Sequence, residues 1–167
     1  QLGEIFNEGP YTPWTLRDEN GSGGTTLLFP GLAGGPNWGG VAFDPNSSLA
    51  FVFAADLGTL GWLETTEQDF PYQLALPRPS AFAVTIDGQT LPCQEPPWSH
   101  LTAVDTTTGD IVWRIPLGVS ETLPSGKQNT GRPGRAAALV TASDLLFIAS
   151  TDDKRVRGLR ASTGEIL

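Results

Sequence analysis

The chain is poor in the side chains that build most active sites. Its 167 residues include one cysteine (Cys93), one histidine (His100) and no methionine. A single cysteine excludes an internal disulfide framework and any paired-cysteine metal site. A single histidine excludes His-rich metal centres and makes a Ser-His-Asp enzyme a poor match. Positive charge is scarce as well: 10 Lys and Arg stand against 18 Asp and Glu, a net charge of −8. Nothing supplies the Lys/Arg stripe that displaces counterions from phosphates, so no nucleic-acid partner is expected. The longest good apolar run is Leu49–Ala55, well short of the roughly 18 residues of a membrane-crossing helix. With 20 glycines and 14 prolines, a long helical bundle is excluded too. The chain opens Gln1-Leu2-Gly3 without a basic, apolar leader, and the expectation is a piece of something longer.

What is present is a series of short apolar runs bounded by turn residues. They include 25–29, 40–43, 49–53, 81–86, 101–104, 110–113, 136–141, 145–149, 155–159 and 165–167. Asp87-Gly88 between two runs is a hairpin signal. The run lengths, the β-branched and aromatic content and the lack of a sustained 3.6 period predict an all-β chain of antiparallel hairpins. Residues 56–99 differ. They hold six prolines, Pro71 to Pro97, show little alternation, and read as a long excursion between strands. Residues 1–24 read as a linker or the tail of a preceding element. A weak repeat joins Ala-Val-Asp-Thr-Thr-Thr-Gly-Asp-Ile-Val-Trp at 103–113 to Gly-Leu-Arg-Ala-Ser-Thr-Gly-Glu-Ile-Leu at 158–167, offset by 55 residues. That spacing suits a propeller blade with an insertion.

The pattern Ala103-x-Asp105-x-x-Thr108-Gly109-x-x-x-Trp113 resembles the tryptophan-docking motif of the pyrroloquinoline quinone (PQQ) dehydrogenases. Leu91-Pro92-Cys93-Gln94-Glu95-Pro96-Pro97-Trp98, running on to Leu101–Asp105, is similar to their membrane glucose and quinate dehydrogenase branch. So are Phe29-Pro30-Gly31 leading to Asn37-Trp38-Gly39-Gly40, and Leu146-Phe147-Ile148-Ala149-Ser150-Thr151-x-Asp153. The segments keep the family's order over about residues 25–167.

The resemblance implies an eight-bladed propeller of four-stranded antiparallel blades, of which this chain holds about two. The expected division is one blade over 25–134 with an insertion at about 55–99, then most of the next blade over 135–167. It implies PQQ as cofactor and an alcohol, sugar, polyol or quinate-type substrate. Ubiquinone is the implied acceptor, in a periplasmic parent protein anchored to the inner membrane. A calcium ion belongs to that apparatus, but its ligands and the family's catalytic Asp fall upstream of residue 25. No catalytic residue is therefore expected in this chain, and activity is not expected from it alone.

By the resemblance, Asn37, Trp38 and Asp153 correspond to positions at the cofactor pocket. Each has a plainer alternative. Asn37 can cap a strand, Trp38 can fill a core or inter-blade space, and Asp153 can be an exposed strand-end carboxylate beside Asp152 and Lys154. Ala103, Asp105, Thr108, Gly109 and Trp113 are expected to fasten blade to blade. Cys93 reads as a buried thiol and His100 as a surface residue. Two departures from the family pattern stand out: Gly131-Arg132-Pro133-Gly134 replaces an Asn and Gly-Gly-Pro segment, and Arg160 replaces the docking Asp of the second repeat. They keep open a second reading, a non-catalytic propeller-derived module that self-associates or binds a partner.

Overall fold

The computed structural model describes residues 3–9, 12–32, 34–67, 69–78, 80–86, 88–135, 137–149 and 151–167. Among the described residues there is no helix. In chain order the strands are β1 (Ile5–Phe6), β2 (Leu16–Arg17), β3 (Thr25–Leu28), β4 (Gly35–Asp44), β5 (Leu49–Ala55), β6 (Thr59–Thr65) and β7 (Tyr72–Ala75). They continue with β8 (Ala83–Ile86), β9 (Gln89–Pro92), β10 (Ser99–Asp105), β11 (Ile111–Pro116), β12 (Ala138–Val140), β13 (Leu145–Ile148) and β14 (Arg157–Arg160). The all-β reading holds. Ala136 and Ser150, which fall in the predicted runs, lie outside the described residues, as does Asp87 of the predicted hairpin turn.

The chain divides into two compact units, Gln1–Ala33 with Leu57–Gln94, and Gly34–Asp56 with Glu95–Leu167. In the first unit β6 is the hub. It pairs antiparallel with β3 and β7 and parallel with β2, while β1 lies parallel to β3. β8 and β9 form a separate antiparallel hairpin. Two features differ from the sequence reading. Residues 1–24, read as a linker or the tail of a preceding element, carry strands at 5–6 and 16–17, and 56–99, read as an excursion with little alternation, supplies four strands. Two-residue strands are too short to show alternation, and their parallel partners are remote in sequence. Arg17 is buried here, its guanidinium 3.5 Å from the Trp62 ring centre, with Nε donating to the Gly24 carbonyl at 3.1 Å. Such a cation over an indole face stabilises more strongly when desolvated. Cys93 is exposed, not buried. It follows β9, and a two-stranded sheet has too little area to cover it.

The second unit holds an antiparallel four-stranded sheet in the order β11-β10-β5-β4 and a three-stranded sheet in the order β12-β13-β14. A bridge from Leu159 to Ile166 starts a fourth strand on β14. On β5, Leu49, Phe51, Phe53 and Ala55 are buried, and the intervening residues are half-buried. On β10, Leu101 and Ala103 continue the same face. That face packs with Leu146, Ile148 and Leu159 of the three-stranded sheet, and with Ala161 of the turn after β14, in one core. The period-2 pattern is why these segments are strands, and burying both patterned faces holds the sheets together.

Glycine is required at a crowded point beside β10. Gly131 has φ +69°, and a Cβ there would lie 2.6 Å from the Ser99 amide nitrogen. Ser99 Oγ meanwhile donates to the Leu117 and Arg132 carbonyls at 2.9 and 2.8 Å. Gly131→Ala is therefore expected to cost about 3 kcal/mol, from left-handed strain together with a backbone clash. The urea midpoint measures it, and an unchanged midpoint would refute the packing argument.

Candidate functional site

The Asn37-Trp38-Gly39-Gly40 segment lies inside β4, where regular pairing breaks. Pro36 pairs with Ala54 and Val41 pairs with Val52, so residues 37–40 face Phe53 alone. Four residues opposite one make a bulge larger than the usual two-against-one kind, a device that re-aims side chains and recurs beside active sites. Gly40 has φ +83° with open space around it, so it closes the bulge without steric cost. The bulge throws Trp38 outward, 89% exposed. Within this chain Trp38 is therefore not a core residue, though its exposure does not bear on an inter-blade position: a strand in register would have buried one face, and the bulge removes the register. The Asn37 side chain is half-buried, and its Oδ1 accepts the Trp38 amide at 2.8 Å.

Asp153 sits in a different setting. Its side chain is 4% exposed and forms an ion pair with Arg157, itself 7% exposed. Oδ2 also accepts the Val119 amide at 2.9 Å, and Oδ1 accepts the Thr151 hydroxyl at 2.6 Å. Burial pushes the Asp153 carboxyl up, but Arg157, Thr151 and the Val119 amide outweigh it and hold it far below the usual carboxylate range. The plainer reading of Asp153 as exposed is therefore corrected. Asp153 is surrounded because its loop folds back on the strand exit from β11.

Across the four-stranded sheet, Pro36, Ala54, His100 and Pro116 form one register row. Asn37 follows this row at the β4 margin, and the chain leaving Pro116 leads to Val119 at the β11 margin. Three strand spacings, about 14 Å, separate the margins. Among the described residues no hydrogen bond joins Asp153 to Asn37 or Trp38. Nor does any group of three or more His, Cys, Asp or Glu lie together so as to hold a metal ion. His100 is half-buried rather than on the surface. Desolvation and the nearby Arg114 charge lower its pKa, and Asp56 opposes them.

At the other end of the unit, Asp105 Oδ1 accepts the Thr107 amide at 2.8 Å and the Thr107 hydroxyl at 2.6 Å. These contacts hold the Asp105 carboxyl below its usual range. The Trp113 ring lies against Phe51, with centres 5.9 Å apart. Its Nε1 donates to the Ala161 carbonyl of the neighbouring sheet at 2.9 Å. Sequence reasoning expected Asp105 to accept from its own turn but did not name the Ala161 carbonyl as the partner of Trp113. Both departures from the family pattern find carboxylates of their own. Arg132 makes a two-pronged contact to Asp152 at 2.6 Å through each nitrogen, and Arg160 reaches Glu165 at 3.2 Å.

Antiparallel sheets packed face to face, with a tryptophan from one seated on the turn of the next, define a β-propeller type of protein. Residues 1–167 match the PQQ family described as the glucose/ethanol/alcohol dehydrogenase β-propeller domain. The chain is 32% identical over 165 residues to the quinate/shikimate dehydrogenase (quinone) of Acinetobacter baylyi, covering 85% of this chain and 20% of that protein. It is 29% identical over 183 residues to the quinoprotein glucose dehydrogenase of Escherichia coli, covering 96% of this chain and 22% of the relative. It is 25% identical over 176 residues to a glycerol dehydrogenase large subunit of Gluconobacter oxydans, covering 84% of this chain and 23% of the relative. The chain spans about a fifth of the length of these curated relatives. It belongs to the PQQ-dependent dehydrogenase β-propeller family, whose cofactor is PQQ. Among the described residues no helix is long and apolar enough to cross a membrane.

Proposed function

We propose that this chain supplies about two blades of a PQQ-dependent dehydrogenase and carries one edge of the cofactor pocket. The observation that carries this is the β4 bulge, which exposes the Trp38 indole directly beside Asn37 in the chain. Such a pair suits a flat conjugated quinone: the ring stacks on it, and the amide donates to an oxygen that gains negative charge on reduction. When bound, PQQ supplies the hydride-accepting chemistry. Asn37 and Trp38 bind and orient it. Asp153, its oxygens already engaged, holds the Val119 segment at the opposite margin. The Asp105–Thr107 turn and the Trp113 contact fasten one blade to the next.

The whole protein would oxidise a sugar, polyol or quinate-type alcohol and pass electrons to a quinone such as ubiquinone. Calcium would be held by residues outside this chain, in a periplasmic protein anchored to the inner membrane. The relatives' names support the substrate range. The chain alone would be inactive, and dye-linked oxidation of glucose or quinate by it would refute that. A second reading, a non-catalytic module that covers its own blade faces by self-association, is favoured by one observation. The outward faces of the two sheets of the second unit expose Val41 and Phe43 on one, and Leu139 and Phe147 on the other.

Titrating the chain with PQQ, with and without calcium, tests the first reading through tryptophan fluorescence. Saturable quenching is expected, and Trp38→Phe should remove most of it. No quenching up to high micromolar PQQ would remove the pocket-edge assignment and leave ancestry and fold.

A further inference from the structure

The second repeat lacks the carboxylate that organises the first, yet its turn has the same backbone. Gly109 N donates to the Asp105 carbonyl and Asp105 N to the Asp110 carbonyl, at 2.8 and 2.9 Å. Fifty-five residues on, Gly164 N donates to the Arg160 carbonyl and Arg160 N to the Glu165 carbonyl, also at 2.8 and 2.9 Å. In the first turn the Asp105 carboxylate takes the amide and hydroxyl of Thr107. In the second, Ser162 occupies the position of Thr107, and Arg160 that of Asp105. Arginine has no acceptor to offer. The Ser162 amide and hydroxyl instead donate to Oδ1 and Oδ2 of Asp144, each at 2.7 Å.

We propose that Asp144, on the turn between β12 and β13, is the positioning residue of the second docking turn and substitutes for the carboxylate lost at position 160. Its backbone already lies at the right place. Asp144 has φ +62°, and its carbonyl accepts the Ala161 amide at 2.9 Å. In the first sheet the corresponding residue is Ser48, with φ +59° and a carbonyl accepting the Thr106 amide at 2.9 Å. An aspartate tolerates this left-handed backbone better than most residues. Placed there, its side chain reaches the next position of the turn. The turn it fixes is the seat of Trp113. The Ala161 carbonyl accepts the indole N–H, and a Cβ on Gly164 would come within 2.8 Å of the indole ring. The carboxylate that holds the turn therefore comes from a separate chain segment in the second repeat and from the turn itself in the first.

Hydrogen exchange of the Ser162 and Thr107 amides, read by NMR on the labelled chain, tests this. Asp144→Gly removes the carboxylate while keeping a residue at ease with positive φ. It is expected to accelerate Ser162 exchange roughly 10- to 100-fold, the loss of one charge-assisted hydrogen bond, with Thr107 unchanged. Adding Arg160→Asp restores a carboxylate where the first repeat has it, and should return Ser162 protection. Asp144→Asn, which retains an acceptor oxygen, should give a smaller acceleration and stands in if the glycine variant does not fold. Unchanged Ser162 protection in both single variants, or no recovery in the double variant, would overturn the assignment.

Discussion

Asp153→Ala is expected to destabilise the chain by about 3–5 kcal/mol, because it strands the Arg157 guanidinium in a nearly solvent-free site. The Val119 amide and the Thr151 hydroxyl lose an acceptor in the same step. The effect should exceed that of breaking the Arg160–Glu165 pair, whose partners are about half exposed and whose contribution is expected below about 1 kcal/mol. The dependence on pH has a definite sign. The folded carboxyl lies below its ordinary value of 3.8, so the unfolded chain takes up the proton first. The stabilisation is complete above about pH 5, declines as the pH falls past the unfolded value, and is gone only once the folded value is passed. Urea midpoints between neutral pH and pH 3 should fall more steeply for the natural chain than for Asp153→Ala. Parallel slopes would mean that the ion pair adds nothing to the fold.

Trp113→Ala should cost about 2–3 kcal/mol, less than a fully buried tryptophan because the ring is only partly buried. Gly164→Ala should cost about 2 kcal/mol, from the Cβ close to the ring and from φ +75°. In the Trp113→Ala background only the conformational part remains, about 1 kcal/mol. The two losses should therefore be non-additive by about 1 kcal/mol. Strict additivity in a double-mutant cycle would show that the ring does not rest on the turn. The contact joins strand β11 to residues some fifty positions later, so it also reports on how firmly the two sheets of the second unit are held.

The sequence alone settled the all-β class, because alternating apolar runs such as Leu49–Ala55 have a period that only strands can bury on one face. It also settled the repeat, since turn geometry needs Gly109 and Gly164 at fixed offsets, and the family resemblance, since the ordered segments are local strings. Tertiary structure decided the rest. Whether Trp38 faces solvent depends on the β4 register, which the four letters Asn-Trp-Gly-Gly do not encode without their partner strand. Whether Asp153 is free or engaged depends on Val119 and Arg157 arriving at the same place, and Val119 is 34 residues away. The strands at 5–6 and 16–17 exist because remote strands pair with them. Asp144 lies 18 residues from the serine it holds. Local backbone preference is written residue by residue, whereas the partner of a polar group is fixed only when distant segments meet.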